Sequence, residues 1–98
     1  ELYEKFKAAI LNLTDGIEVK PQKFYIAFKK GKNVTDIAIL KKSLKLFINV
    51  KAGLLDDPKK LAQDVSNIGH WGNGDYQIQV EDDKDLEYIM SLVKQAIQ

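Results

Sequence analysis

The residues able to do chemistry are few in this 98-residue chain, and they gather in one place. Its one histidine, His70, and its one tryptophan, Trp71, stand in a run with glycine at 69, 72 and 74 and Asn73 between the last two. Glycines let backbone approach a ligand closely, so the N–H groups of this run can form an anion nest, with His70 as donor and Trp71 as stacking face. The same residues also suit a structural turn, in which Trp71 plugs the edge of the core and His70 bonds to Asp64, Asp75 or nearby backbone. The run matches neither the phosphate loop, which needs a lysine before serine or threonine, nor the dinucleotide fingerprint.

Catalysis is hard to assemble from the rest. One histidine and no cysteine leave too few ligands for a zinc site of the usual kinds. Ser43, Ser66 and Ser91 are available to His70, but none sits in a nucleophile elbow. Asp56/Asp57 and Asp82/Asp83 precede helix-like patterns, where carboxylates cap helices. Asp64 and Asp75 offer oxygens of the kind magnesium takes, without a signature around them. The expectation is a domain that is no enzyme, with no catalytic residue, metal or cofactor.

Charge is the stronger signal. The chain carries a net +1, yet Lys20 to Lys60 holds eleven lysines against Asp36, Asp56 and Asp57, a net +8. The flanking stretches carry −2 and −5. Such segregation suits a surface facing anions. It also suits exposed strands kept soluble and unpaired by lysine. There is no arginine, so the planar fork that clamps phosphates and reads guanine is missing.

Periodicity places these residues on elements. Leu2, Tyr3, Phe6, Ala9, Ile10 and Leu13 repeat as a helix, stopped at Thr14-Asp15-Gly16. Ile17 to Lys20 reads as a short strand. Phe24, Ile26 and Phe28 alternate with Tyr25, Ala27 and Lys29 as a half-buried strand, and a turn at Lys30-Gly31-Lys32-Asn33 leads into Val34 to Leu40. Leu44, Leu46, Ile48 and Val50 alternate with Lys45, Phe47, Asn49 and Lys51 in the clearest strand of the chain. Asp57-Pro58 opens a short helix with Leu61, Ala62 and Val65 as its stripe. Tyr76, Ile78 and Val80 make a further strand, and Leu86, Ile89, Met90, Val93 and Ile97 a closing amphipathic helix. The expected fold is α+β: one domain over 1–98, a mainly antiparallel sheet of four or five strands, both terminal helices on one face and a short inserted helix.

Leu54-Leu55-Asp56-Asp57-Pro58, followed by Asp64-Val65-Ser66-Asn67-Ile68-Gly69-His70-Trp71-Gly72-Asn73-Gly74-Asp75-Tyr76, resembles the pattern of an uncharacterised prokaryotic domain family. That family sits at the C-terminal end of longer bacterial and archaeal proteins labelled "predicted transport protein", some with nuclease-like regions upstream. The resemblance implies a fragment of a larger protein and carries no catalytic residue onto this chain. The start of the chain points the same way, since Glu1 is no initiator methionine and helical spacing begins at once.

If Leu44, Leu46, Ile48 and Val50 face the core, then Lys45, Phe47 and Lys51 face away, beside Tyr25 and Lys29. That mixture of rings and ammonium groups suits contact with another molecule. Tyr25, Lys29, Lys45, Phe47 and Lys51 on the sheet, with His70, Trp71 and Asn73 in the glycine run, are the expected contact residues. The expected partner is a neighbouring domain or a separate protein, with nucleic acid as the alternative, since stacking rings and lysines also serve single strands. No apolar run nears the roughly 18 residues of a membrane span, which gives the expectation of a cytoplasmic domain without membrane contact.

Overall fold

The computed structural model describes residues 1–68 and 74–97. Spacings of three and four align Leu2, Tyr3, Phe6 and Ile10, and the chain forms α1 over Leu2–Leu11 with Phe6 and Ile10 buried. Gly16, at φ +83°, takes the left-handed step that turns the chain into the sheet. Four strands follow in succession, each antiparallel to the next: β1 Glu18–Pro21, β2 Ile26–Lys30, β3 Lys32–Ile39 and β4 Leu44–Ile48. The register slips between Phe28 and Lys29, a bulge that adds twist. β5 is Gln63–Asp64, β6 is Tyr76–Val80 and α2 is Leu86–Lys94. The sheet order is β1-β2-β3-β4-β6-β5.

Register assigns the two faces. Ile26 pairs with Ile37, Ile37 with Leu46, and Leu46 with Ile78, so one row of apolar side chains crosses four strands on one face. Phe6, Ile10, Ile89, Met90, Leu92 and Val93 from the helices join that row in a single buried cluster. Each such side chain contributes about 1.5–3 kcal/mol on full burial. Both helices therefore lie on one face, as helical spacing at the chain ends predicts.

Two expectations change. The sheet has six strands, and the inserted helix does not form. Residues 57–62 make an irregular loop with Lys60 at φ 55°, a value no right-handed helix accommodates. The Asp57 carboxylate accepts the N–H of Ala62, five residues on, and no helical turn follows it. Beyond the loop, Gln63 and Asp64 pair with Gln77 and Tyr76 as β5.

Gly74 sets the approach of this region to the sheet. A Cβ there would lie 1.7 Å from the Ile48 carbonyl oxygen and 2.7 Å from Asn49 Cα. The backbone packs directly on the end of β4, and only hydrogen fits between.

Candidate functional site

The face turned away from the helices carries a second row: Lys20, Ala27, Asp36, Phe47, Gln77 and Gln63 stand opposite one another across the sheet. The period of two places Lys29 and Lys45 on this face as well. Alternation thus puts Lys29, Lys45 and Phe47 on one face, with the two lysines on opposite sides of the Phe47 row, and Tyr25, half-buried, precedes β2 at its edge. Lys51 departs from the group: β4 ends at Ile48, and Lys51 lines a cleft with Lys32, Asn49, Val50, Leu54 and Gln95. His70, Trp71 and Asn73 lie outside the described residues.

The middle of this face is no open platform. Phe47 is 2% exposed, Asp36 1%, and Ala27, Ala38 and Val65 are equally buried, all outside the helix-side cluster. A ring buried to that degree offers no stacking surface, which corrects the expectation of an exposed Phe47. Small residues flank it in the sheet, with Ala27 opposite Asp36 and Ala38 two residues further along β3.

Asp36 was the residue sequence reasoning passed over. Its Oδ1 accepts the Asn33 side-chain amide at 2.8 Å, while Asn49 donates to the Asn33 carbonyl at 2.5 Å. An ionisable group at this depth is costly unless satisfied, and among the described residues no buried side-chain N or O lacks a partner. The available signal was an aspartate in mid-strand between Thr35 and Ile37, a residue type depleted in strands.

The lysines divide between the two ends of the sheet. Lys20, Lys23, Lys41 and Lys42 lie at the end bearing the β1–β2 and β3–β4 connections, and Lys29, Lys30, Lys32 and Lys51 at the other. Among the described residues the ion pairs are Lys5 with Asp83 at 2.8 Å and Lys20 with Glu18 at 4.0 Å. The basic segment is left largely unneutralised by the domain's own acids. Its first end also holds exposed apolar side chains, Phe24 at 55% and Ile39 at 56%. Lys23 Nζ stands 5.3 Å from the Phe24 ring centre, and a cleft of about 300 Å³ runs past Tyr3, Ile39, Lys41 and Lys42, with Glu1 and Glu81 also in its wall.

On the helix side, the loop from 52 to 62 is strapped down by polar contacts. Backbone N–H groups of Ala52, Gly53, Asp56 and Lys59 reach the Asp75 carboxylate, the Tyr76 hydroxyl, the Gln95 amide oxygen and the Tyr88 hydroxyl. Gln95 returns a bond to the Asp56 carbonyl, and the Tyr88 hydroxyl donates to Asp57. Burial alone raises the Asp57 carboxyl, but the bonds from Tyr88 and from the N–H groups of Ala62, Leu61 and Lys60 outweigh it and hold the group below its ordinary value. Burial, then the bond to Asp57, pushes the Tyr88 phenol up. Asp64 accepts from Ser66, while Asp75 accepts from Ala52, so the two carboxylates face different partners. Among the described residues no group of three or more acids or imidazoles converges as a metal site would require. No helix among them is long and apolar enough to cross a membrane.

Comparison with known proteins gives a family without an activity. A protein of Haemophilus influenzae (strain ATCC 51907 / DSM 11121 / KW20 / Rd), described as uncharacterized, is 62% identical over 97 residues. The match covers 99% of this chain and 32% of that protein, so the chain spans about a third of the length of its relative. No solved structure matches. Neither transport nor a nuclease is named in these descriptions. A family model described as a domain of unknown function, DUF5655, matches residues 1–98, and the chain belongs to that family.

Proposed function

We propose that this is a non-catalytic interaction domain that docks, through the sheet end bearing Lys23, Phe24, Ile39, Lys41 and Lys42, onto an acidic surface of another polypeptide or of the remainder of a longer protein. The observation that carries this reading is an excess of charge: eleven lysines between residues 20 and 60 stand against three acids in that stretch, and Lys20 has Glu18 at 4.0 Å, a distance too long to neutralise it fully. Exposed Phe24 and Ile39 among these lysines give the surface apolar anchors that a solvated lysine coat has no need of. A relative about three times as long has further polypeptide able to cover such a surface, which supports this reading. A polypeptide fits better than a nucleic acid, because the chain lacks arginine and Phe47 is buried.

The test is zero-length carbodiimide cross-linking of the whole gene product, mapped by mass spectrometry. Links from Lys23, Lys41 or Lys42 to acids outside residues 1–98 or on a second polypeptide support the reading. Links confined to residues 1–98 overturn it.

A further inference from the structure

A cleft of about 430 Å³ runs beside β6 and touches three consecutive strand residues, Ile78, Gln79 and Val80. Strand side chains alternate between faces, so a cleft meeting three in a row lies along the strand's edge. Among the described residues β5 pairs with β6 at Gln77 and Tyr76 and no further, so the ladder stops where the cleft begins. The cause is the loop before β5. Lys60, at φ 55°, bends the chain away from β6, Asp57 holds the bend by accepting the Ala62 N–H, and Leu61 becomes part of the cleft wall. A left-handed non-glycine residue costs free energy and persists only where its surroundings enforce it.

The Asp75 carbonyl accepts the Val65 N–H at 2.7 Å across this edge. The period of two then aims the backbone N–H and C=O of Gln77 and Gln79 the same way, and Gln79 has no strand beside it among the described residues. Such an edge is a template for another strand. Around it stand Glu81, Asp82 and Asp85 against one cation, Lys84, while Leu61 and Ile89 supply apolar wall. Asp85 makes no side-chain capping bond to α2, so its carboxylate is not committed there.

We propose that the open edge of β6 at Ile78–Val80 binds an extended peptide segment bearing lysine or arginine. The segment adds a short strand through the Gln79 backbone, an apolar side chain meets Leu61 and Ile89, and its cations meet Glu81, Asp82 and Asp85. This site adjoins the lysine-bearing end of the sheet, since Glu81 also lines the cleft beside Lys41 and Lys42, but it rests on the edge of β6 and stands whether or not that end docks.

The probes are two fluorescein-labelled peptides of about six residues, one alternating lysine with valine, the other glutamate with valine, titrated by anisotropy at low salt. The lysine peptide is expected to bind at least about tenfold more tightly than the glutamate peptide. Gln79→Pro removes an outward donor and leaves the β4 side of the ladder alone, and is expected to weaken binding about tenfold. Asp82→Lys with Asp85→Lys is expected to reverse the preference. Because a proline variant can misfold, amide exchange on the unaltered domain provides the parallel reading, with Gln79 slowed by saturating lysine peptide. Equal binding of both peptides, or unchanged exchange at Gln79, overturns the proposal.

Discussion

Adding one methyl group at Gly74 tests the packing that brings the second half of the chain onto the sheet. The Cβ of alanine would sit 1.7 Å from the Ile48 carbonyl oxygen, where real contacts begin near 3.0 Å, so the segment must retreat by about 1.3 Å. That retreat strains the Val65 N–H bond to the Asp75 carbonyl at 2.7 Å, the Ala52 N–H bond to the Asp75 carboxylate at 3.0 Å and the long Asp75 N–H contact to Val50 at 3.4 Å. Each is worth about 1 kcal/mol net. Overpacking adds about 1–3 kcal/mol. Gly74→Ala is therefore expected to cost roughly 4–6 kcal/mol, a large share of the ~5–15 kcal/mol that holds a small domain. Urea denaturation followed by circular dichroism reads this as a midpoint lowered by about 2 M. Gly31→Ala is the control: Gly31 has φ +75° and open space around it, so only the left-handed penalty of about 1–2 kcal/mol applies. If Gly74→Ala costs no more than Gly31→Ala, the close approach to β4 is refuted.

Phe47→Ala is expected to destabilise the domain by about 3–5 kcal/mol in the same assay, as a buried ring should; a loss under about 1 kcal/mol would mean that the ring stands in solvent. Tyr88→Phe and Gln95→Ala each cut the loop strap, so amide exchange at Asp56 and Lys59 should rise while β4 stays protected; unchanged exchange would count against the strap. Because the Asp57 carboxyl lies below its ordinary value in the folded state, the stability it contributes is complete above the unfolded value near pH 4 and is lost as pH falls through the folded value. Asp57→Asn should therefore flatten the dependence of the urea midpoint on pH below about 4. Identical acid profiles for the two proteins would contradict that linkage.

Much of this fold is legible because its spacings are unambiguous. Leu44, Leu46 and Ile48 alternate with Lys45 and Phe47, and Leu86, Ile89, Met90 and Val93 repeat at three and four, so β4 and α2 follow from pattern alone. The stretch from Asp57 to Val65 misleads for a physical reason. Asp-Pro before an apolar stripe looks like a helix start, but the Asp57 carboxylate is spent on Ala62 and Tyr88, partners revealed only by tertiary structure. β5 is two residues long, too short to carry a period, and its existence is dictated by β6.

The candidate surface shows the same division. Parity places Phe47, Lys45 and Lys29 on one face, and the register agrees. Parity says which way a side chain points and nothing about whether chain lies over it, so the burial of Phe47 and Asp36 was not readable. The unneutralised lysines were legible as a charge count. Their division between two ends of the sheet, and the company of Phe24 and Ile39 at one of them, depends on strand pairing that composition does not encode.

If the lysine-bearing sheet end is a docking surface, it is covered in the whole gene product, and lysine acetylation measures that cover directly. The domain alone and the whole gene product are each treated with an acetylating reagent, and the rate at every lysine is compared, with a single-stranded oligonucleotide added to the isolated domain as a third condition. Slower modification of Lys23, Lys41 and Lys42 in the whole gene product, with Lys59 and Lys94 unchanged and no protection by the oligonucleotide, is the predicted result. Equal rates at all these lysines in both proteins, or protection by the oligonucleotide alone, would contradict it.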